Sequence, residues 1–242
     1  MQSLAVSVMR PDDIVEANRL HYAHPSVIGC LSEDKFVDGG LEATEVALLE
    51  HVPVRKGRLL DLFAGAGREA FAFARMGFDV TCVDFSADLN AKTREHALRR
   101  GLHIAALNQN VSRLDLPPGS FDVAWLNSQM YSSIPGRAAR VRMLSRIAAA
   151  LKPRGYFVCQ FRWNARLRRA PLADAVRKAV AVVTFGHVGY QPGDILMGNS
   201  EFMHAFSSED EFRTEFTRGG FDVLHFRVEE QRLCGSTVLR KS

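Results

Sequence analysis

Cysteine is scarce in this sequence and nowhere paired. Cys30, Cys82, Cys159 and Cys234 are far apart in a chain of 242 residues, and no C-x-x-C motif occurs, so neither a zinc site nor a redox pair is indicated. Reduced thiols point to a cytoplasmic protein. Long apolar runs are also missing: no window approaches the roughly 18 residues that a spanning helix needs, which excludes a membrane span. The N-terminal apolar run Leu4 to Met9 has no basic flank and no small-residue cleavage site, so no export signal is expected. Internal repeats and low-complexity tracts are absent. With 47% hydrophobic and 24% charged residues, the composition excludes disorder, collagen and coiled coil and is that of a folded globular chain.

The net charge of +4 conceals an asymmetry. Twelve Lys or Arg lie between Arg137 and Lys178 with only Asp174 against them, a local net of +11, which leaves -7 for the rest. Such a band suits a phosphate track or two helices with solvated Arg faces.

Strands and helices alternate. Arg58 to Ala64 is an apolar run ending in Gly65-Ala66-Gly67, and Arg68 to Met76 follows with helical spacing. Phe78 to Asp84 predicts a second strand, and Ser86 caps a helix from Ala87 to about Arg100. Leu102 to Asn108, Phe121 to Asn127 and Tyr156 to Phe161 predict three more strands, with a helix from Gly136 to Leu151. Asn164 to Tyr190 reads as an Arg-rich amphipathic helix and a loop, the expected lid. Ser207 or Ser208 caps Glu209 to Arg218, and Phe221 to Val228 and Ser236 to Arg240 close the chain with two strands. The pattern implies a mostly parallel α/β sheet covered on both faces, with ligands at the strands' carboxyl ends. One domain is expected: a helical cap over 1–55, a ligand-binding core over 56–163, a lid or acceptor insertion over 164–206, and closing elements over 207–242.

The glycine turn lets a ligand approach backbone at a helix N-terminus. Gly65-Ala66-Gly67-Arg68-Glu69-Ala70 also satisfies G-x-G-x-x-G/A, so a dinucleotide competes. Asp61 separates the two readings. A carboxylate close to the glycine turn repels a pyrophosphate but stabilises an ammonium, while Asp84 at the end of the second strand bonds ribose hydroxyls under either. A nucleoside carrying an amino acid satisfies both acids, and S-adenosylmethionine is such a molecule. The plain alternatives are Asp61 paired with Arg58 or Arg68, Asp84 as a helix cap, and Asn110 as a turn former.

The motifs D-L-F-A-G-A-G (Asp61 to Gly67), V-D-F-S (Val83 to Ser86), N-V-S-R-L-D-L-P (Asn110 to Pro117), F-D-V-A (Phe121 to Ala124) and L-K-P-R-G-Y (Leu151 to Tyr156) occur in an order and spacing that resemble the class I S-adenosylmethionine-dependent methyltransferases. G-G-F-D-V (Gly219 to Val223) extends the match. The resemblance implies a Rossmann-like sheet of seven strands with an antiparallel last strand. It further implies an S-adenosylmethionine site that includes Asp61, Phe63, Ala64, Ala66 and Phe85, in which Gly65 and Gly67 line the methionine part and Asp84 holds the ribose. Asn110 and Val111 then lie by the adenine, and Asn127 near the sulfonium. The family usually has Asp at the position of Asn110, whose carbonyl can still accept from the adenine amino group.

The segment after the fourth strand is N-S-Q-M-Y, without the N/D-P-P-Y/F of amino-methylating enzymes, and no paired catalytic cysteine motif occurs. A small-molecule acceptor pocket is therefore expected, built from Tyr22, Gln129, Tyr131, Arg162, Trp163, Tyr190 and His204. Methyl transfer needs no obligatory base; His204, His187 and Tyr131 are the candidates for a hydroxyl acceptor. An RNA methyltransferase using the Arg band, and a non-catalytic S-adenosylmethionine-binding relative, are the alternatives. Monomer and homodimer are both compatible with the sequence, and no metal site is expected.

Overall fold

The computed structural model describes residues 2–126, 128–167, 171–198 and 201–242. Five helices precede the first strand: α1 (Gln2–Val8), α2 (Pro11–Tyr22), α3 (Pro25–Ser32), α4 (Asp34–Val37) and α5 (Ala43–Glu50). Pro11 and Pro25 each open a helix, where the missing amide costs nothing. Then come β1 (Gly57–Leu62), α6 (Arg68–Arg75), β2 (Phe78–Asp84), α7 (Ala87–Arg99), β3 (Ile104–Asn108), β4 (Phe121–Leu126), α8 (Arg137–Ala150) and β5 (Leu151–Trp163). The remainder is α9 (Pro171–Val183), β6 (Asp194–Met197), β7 (Glu201–Phe206), α10 (Glu209–Arg218), β8 (Phe221–Glu229) and β9 (Cys234–Lys241).

Strands β3-β2-β1-β4-β5 run parallel, β9 pairs antiparallel to β5, and β8 pairs antiparallel to β9. These seven strands are the expected sheet with its antiparallel last strand. Two further strands were not expected. The hairpin β6–β7 replaces loop at the end of the insertion and joins β5 through Arg162↔Ala205 and Trp163↔Phe206. Five of the six residues of β7 are buried, so it shows no alternation of polar and apolar positions by which a half-buried strand is recognised.

Alternation along β1 sends Leu60 and Leu62 into a cluster with Ile147 of α8 and Phe216 of α10. Leu59 points the other way, into a cluster with Leu48 of α5 and Phe73 of α6. Asp61 shares the face of Leu59 and is buried there, a carboxylate inside an apolar strand. Helix α2 is clamped by Asn18, whose Nδ2 donates to Ser133 O (3.0 Å) and whose Oδ1 accepts from Phe202 N (2.7 Å). This ties the N-terminal segment to both β7 and the loop after β4.

Candidate active site

The chain leaves β1 through Phe63 at φ 54°, then Gly65 at φ 55° and Gly67 at φ 94°, which caps α6. A Cβ on Gly65 would meet nothing within 4 Å, so this backbone faces open space. Gly67 has a different reason. A Cβ there would lie 2.9 Å from Phe71 Cζ and 3.2 Å from Thr93 Cγ2, so packing of α6 against α7 excludes a side chain. Asp84 ends β2 and accepts from Gly65 N (3.0 Å) and Ser86 N (2.8 Å). Burial raises its pKa, and the amides of Ser86, Gly65 and Phe85 oppose the rise. The side chain that caps α7 is Ser86, whose Oγ accepts from Leu89 N, so Asp84 is not that cap.

Asp61 is 1% exposed, and its Oδ2 has no hydrogen-bond partner among the described residues. Burial pushes its pKa well above the carboxylate range; Glu69 and Glu45 push the same way, and Arg68 opposes. Neither arginine expected as a partner takes that role. Arg68 gives Nη2 to Glu45 (2.9 Å) and Glu69 (2.5 Å), and Arg58 reaches Asp79 at 3.7 Å. A buried carboxylate oxygen without a donor, four residues before Gly65 in the chain, suits an ammonium and not a pyrophosphate.

Two cavities meet here. A crevice of about 120 Å³ is lined by Tyr22, Phe63, Ala64, Gly65, Ala66, Asp84, Phe85, Ser128 and Met130. It shares Tyr22, Phe63, Phe85 and Met130 with a chamber of about 440 Å³ that runs under α2 to Asn110, Ser112, Pro135 and Ala139. The chamber alone has the volume of a small-ligand site. Asn110 lines it, but the Asn110 Oδ1 accepts from Ser112 N (2.9 Å) and Oγ (2.7 Å), so the carbonyl expected to meet an adenine holds the turn instead. The Nδ2 remains to face a ligand. Val111 is a core residue at 1% exposure, beneath that turn. Asn127 lies outside the described residues.

Of the expected acceptor residues, Tyr22 alone borders both cavities. Its hydroxyl donates to Glu201 and lies 3.3 Å from Met130 Sδ. Burial first, then the charges of Glu201 and Asp84, raise its pKa far above the phenol range, so it stays protonated. Gln129, at φ 60°, turns into a separate polar cavity of about 310 Å³ with Gln160, Arg227 and Glu229.

The other residues line neither the crevice nor the chamber, and the expectation for them is corrected. Tyr131 is fully buried, donates to Glu215 Oε1 at 2.6 Å, and packs between Phe206 and Phe216. Trp163 packs on Phe161 and Phe226. Tyr190 is buried against the N-terminal helices with Val6 and Ile14. Arg162 spends its backbone amide on Ser132 Oγ and lines none of these cavities. His204 sits 2.7 Å from Asp194 Oδ1, and His187 lies 3.7 Å from Asp194 Oδ2. Burial, with Arg140 adding, lowers the pKa of both histidines, and neither reaches the chamber. They end a buried chain in which Glu215 binds Arg140 (2.6 Å), Arg140 binds Gln191 (2.8 Å), and Gln191 N donates to Asp194 (2.8 Å). An aromatic or histidine is dictated inward here by which side of its strand meets α8 and α10, something no local spacing records.

Sequence reading also missed Ser128, Met130 and Glu201. Met and Ser in a loop carry no signal, and Glu201 reaches the site only because β7 is a strand. The Arg band is not one free track: Arg137 pairs with Glu211, Arg140 with Glu215, Lys152 with Asp122 and Arg177 with Asp174. Among the described residues no group of His, Cys, Asp or Glu could hold a metal ion, and no helix is long and apolar enough to cross a membrane.

Residues 59–155 match the family model for a methyltransferase domain. A ubiquinone biosynthesis O-methyltransferase from Xanthomonas euvesicatoria pv. vesicatoria is 31% identical over 141 residues, 56% of this chain and 55% of that protein. The one from Sodalis glossinidius is 34% identical over 113 residues, 44% of each. The chain thus spans about half the length of the curated relatives it matches. Among solved structures, an S-adenosylmethionine-dependent methyltransferase from Methanosarcina mazei superposes with a TM-score of 0.63 at 20% identity, covering 84% of this chain and 98% of that one. The 1,6-didemethyltoxoflavin-N1-methyltransferase from Burkholderia thailandensis gives 0.60 at 20%, covering 96% and 87%. Over residues 59–155 the chain is similar to the methyltransferase domain family, and its fold is shared with these solved methyltransferases.

Proposed function

We propose that this chain binds S-adenosylmethionine across the glycine turn and transfers its methyl group to a hydroxyl of a small organic acceptor held under α2. The observation that carries the reading is Asp61 on β1, whose buried Oδ2 has no hydrogen-bond partner among the described residues and matches the ammonium of the cofactor. Asp84 holds the ribose hydroxyls with the lone pairs left by the Gly65 and Ser86 amides, since a carboxylate has about four acceptor sites. Phe63, Ala64, Gly65 and Ala66 border the methionine part; Phe85 and the Asn110 turn border the adenine. Gly67 and Val111 act one layer behind, by packing.

When bound, the cofactor supplies an electrophilic methyl on a sulfonium. Positive charge leaves sulfur in an in-line displacement, so the chain contributes positioning and exclusion of water. The N-terminal segment is the cap that does this, with Asn18 fixing α2 and Tyr22 closing the boundary between crevice and chamber. Protonated Tyr22, donating to Glu201, is a wall and a hydrogen-bond donor and not a base. A hydroxyl acceptor is favoured by the curated relatives, which are O-methyltransferases by name. Four free cysteines support a cytoplasmic location.

Calorimetric titration with S-adenosylmethionine and its demethylated product, with NAD as control, tests the reading. Binding of the first two alone is the expected result, followed by methylation of a catechol or phenol probe. NAD binding, or silence toward both adenosyl compounds, would overturn it.

A further inference from the structure

Helix α9 is inside out. Leu172, Val176, Val182 and Val183 recur at helical spacing on one side, with Ala175 and Ala179 between them, and all six face solvent. Phe185 and Val188, in the turn that follows the helix, are exposed as well, and the large apolar side chains of the helix and this turn are 53–81% exposed. The opposite side, with Ala181 fully buried, packs on α1. Scattered exposed apolar residues are ordinary, but a contiguous stripe of this size marks a surface that is covered in use.

The surrounding charge selects what covers it. From Arg162 to Gly193 the chain carries six Lys or Arg and one acid, Asp174. Arg177 holds that acid at 3.0 Å, which removes it from the balance. Arg166 and Lys178 are exposed. A second copy of this chain would bring two cationic segments face to face. An anionic lipid surface instead receives the apolar stripe among its acyl chains and the cations among its headgroups.

We propose that α9 and the turn through Val188 lie in the plane of an anionic membrane and hold the protein at its surface without crossing it. This assigns a role to the part of the basic band that the cofactor site leaves unused.

Flotation of the full chain with vesicles of phosphatidylcholine, with and without phosphatidylglycerol, tests it. Binding to the mixed vesicles at low salt, lost with added salt and weak on phosphatidylcholine alone, is the expected result. Val182→Ser, Val183→Ser and Phe185→Ser together should reduce binding at least about tenfold, as each removes a buried apolar side chain from the interface. An unchanged melting temperature and unchanged S-adenosylmethionine binding certify the variant's fold. Lys178→Glu, which alters no packing, should weaken binding to the mixed vesicles only. Failure of the wild type to float, or equal flotation of the folded triple variant, would overturn the proposal. So would a wild-type dimer in sedimentation that the triple variant makes monomeric, since the stripe would then belong to a second copy.

Discussion

Replacing Asp61 by Asn should stabilise the free protein and weaken cofactor binding, two effects of opposite sign from one nearly isosteric change. In the free protein the carboxylate is 1% exposed, one oxygen has no donor, and Glu69 and Glu45 act against its charge. Its folded pKa therefore lies above its unfolded one. The folded state keeps a proton that the unfolded chain has released, so the penalty is absent below the unfolded pKa, grows as pH rises, and is complete above the folded pKa. An amide carries no such penalty. Leaving a buried charged acceptor unsatisfied costs at least about 1 kcal/mol, so Asp61→Asn should melt about 2–4 °C higher at neutral pH. The gain should vanish in acid. With S-adenosylmethionine the variant loses a charge-assisted bond to the ammonium, about 1.5–3 kcal/mol, or about 10- to 150-fold in Kd. Calorimetry in two buffers of different ionisation enthalpy adds an independent reading. Near the folded pKa the wild type should release a proton on binding, because the ammonium lowers the pKa of Asp61, and the variant should not. Wild-type affinity in the variant would refute the assignment of the ammonium, and a lower melting temperature would refute the argument from buried charge.

Asp84→Ala should cost about 1–3 kcal/mol of cofactor affinity through lost hydrogen bonds, read as Kd by calorimetry; unchanged binding would mean that the ribose lies elsewhere. Gly65→Ala and Gly67→Ala should separate two jobs of the turn. The first places a methyl in the open crevice and should lower S-adenosylmethionine affinity beyond its effect on melting, whereas the second collides with Phe71 and should destabilise by about 1–3 kcal/mol even without ligand. Glu215→Gln should be the most damaging of these changes. It leaves the fully buried Arg140 without its counter-charge, costs about 3–5 kcal/mol, and should lower the melting temperature by roughly 6–20 °C with no selective effect on cofactor affinity. A variant that melts normally but loses activity would return Tyr131 and its neighbours to the acceptor site.

Much of the proposed cofactor half was legible because its signals are local. Strand β2 and helices α7 and α10 follow from β-forming runs, the caps Ser86 and Ser208, and terminating glycines, all of which act within a few residues. Asp61 stood out as a carboxylate in an apolar run, and Asp84 as one ending a strand. The acceptor half was mostly illegible. His204, His187, Tyr131, Trp163 and Tyr190 have the residue types of a binding pocket, yet a polar aromatic reads the same whether it faces a chamber or a buried network. Strand β7 of the hairpin escaped for a related reason, since burial on both faces erases the alternation that marks a strand.

The sequence by itself determined the order of the seven strands of the main sheet and of the helices between them, the glycine turn, and the presence of two acids toward the ends of β1 and β2, because periodicity, capping and φ preference are properties of neighbours in the chain. Tertiary structure alone decided that Arg68 turns to Glu45 and leaves Asp61 Oδ2 without a hydrogen-bond partner among the described residues, and that Glu201 crosses to Tyr22 while the histidines turn to Asp194. Those choices are competitions among charges brought together from distant parts of the chain, and which pairs form depends on which elements pack against the same face of the sheet.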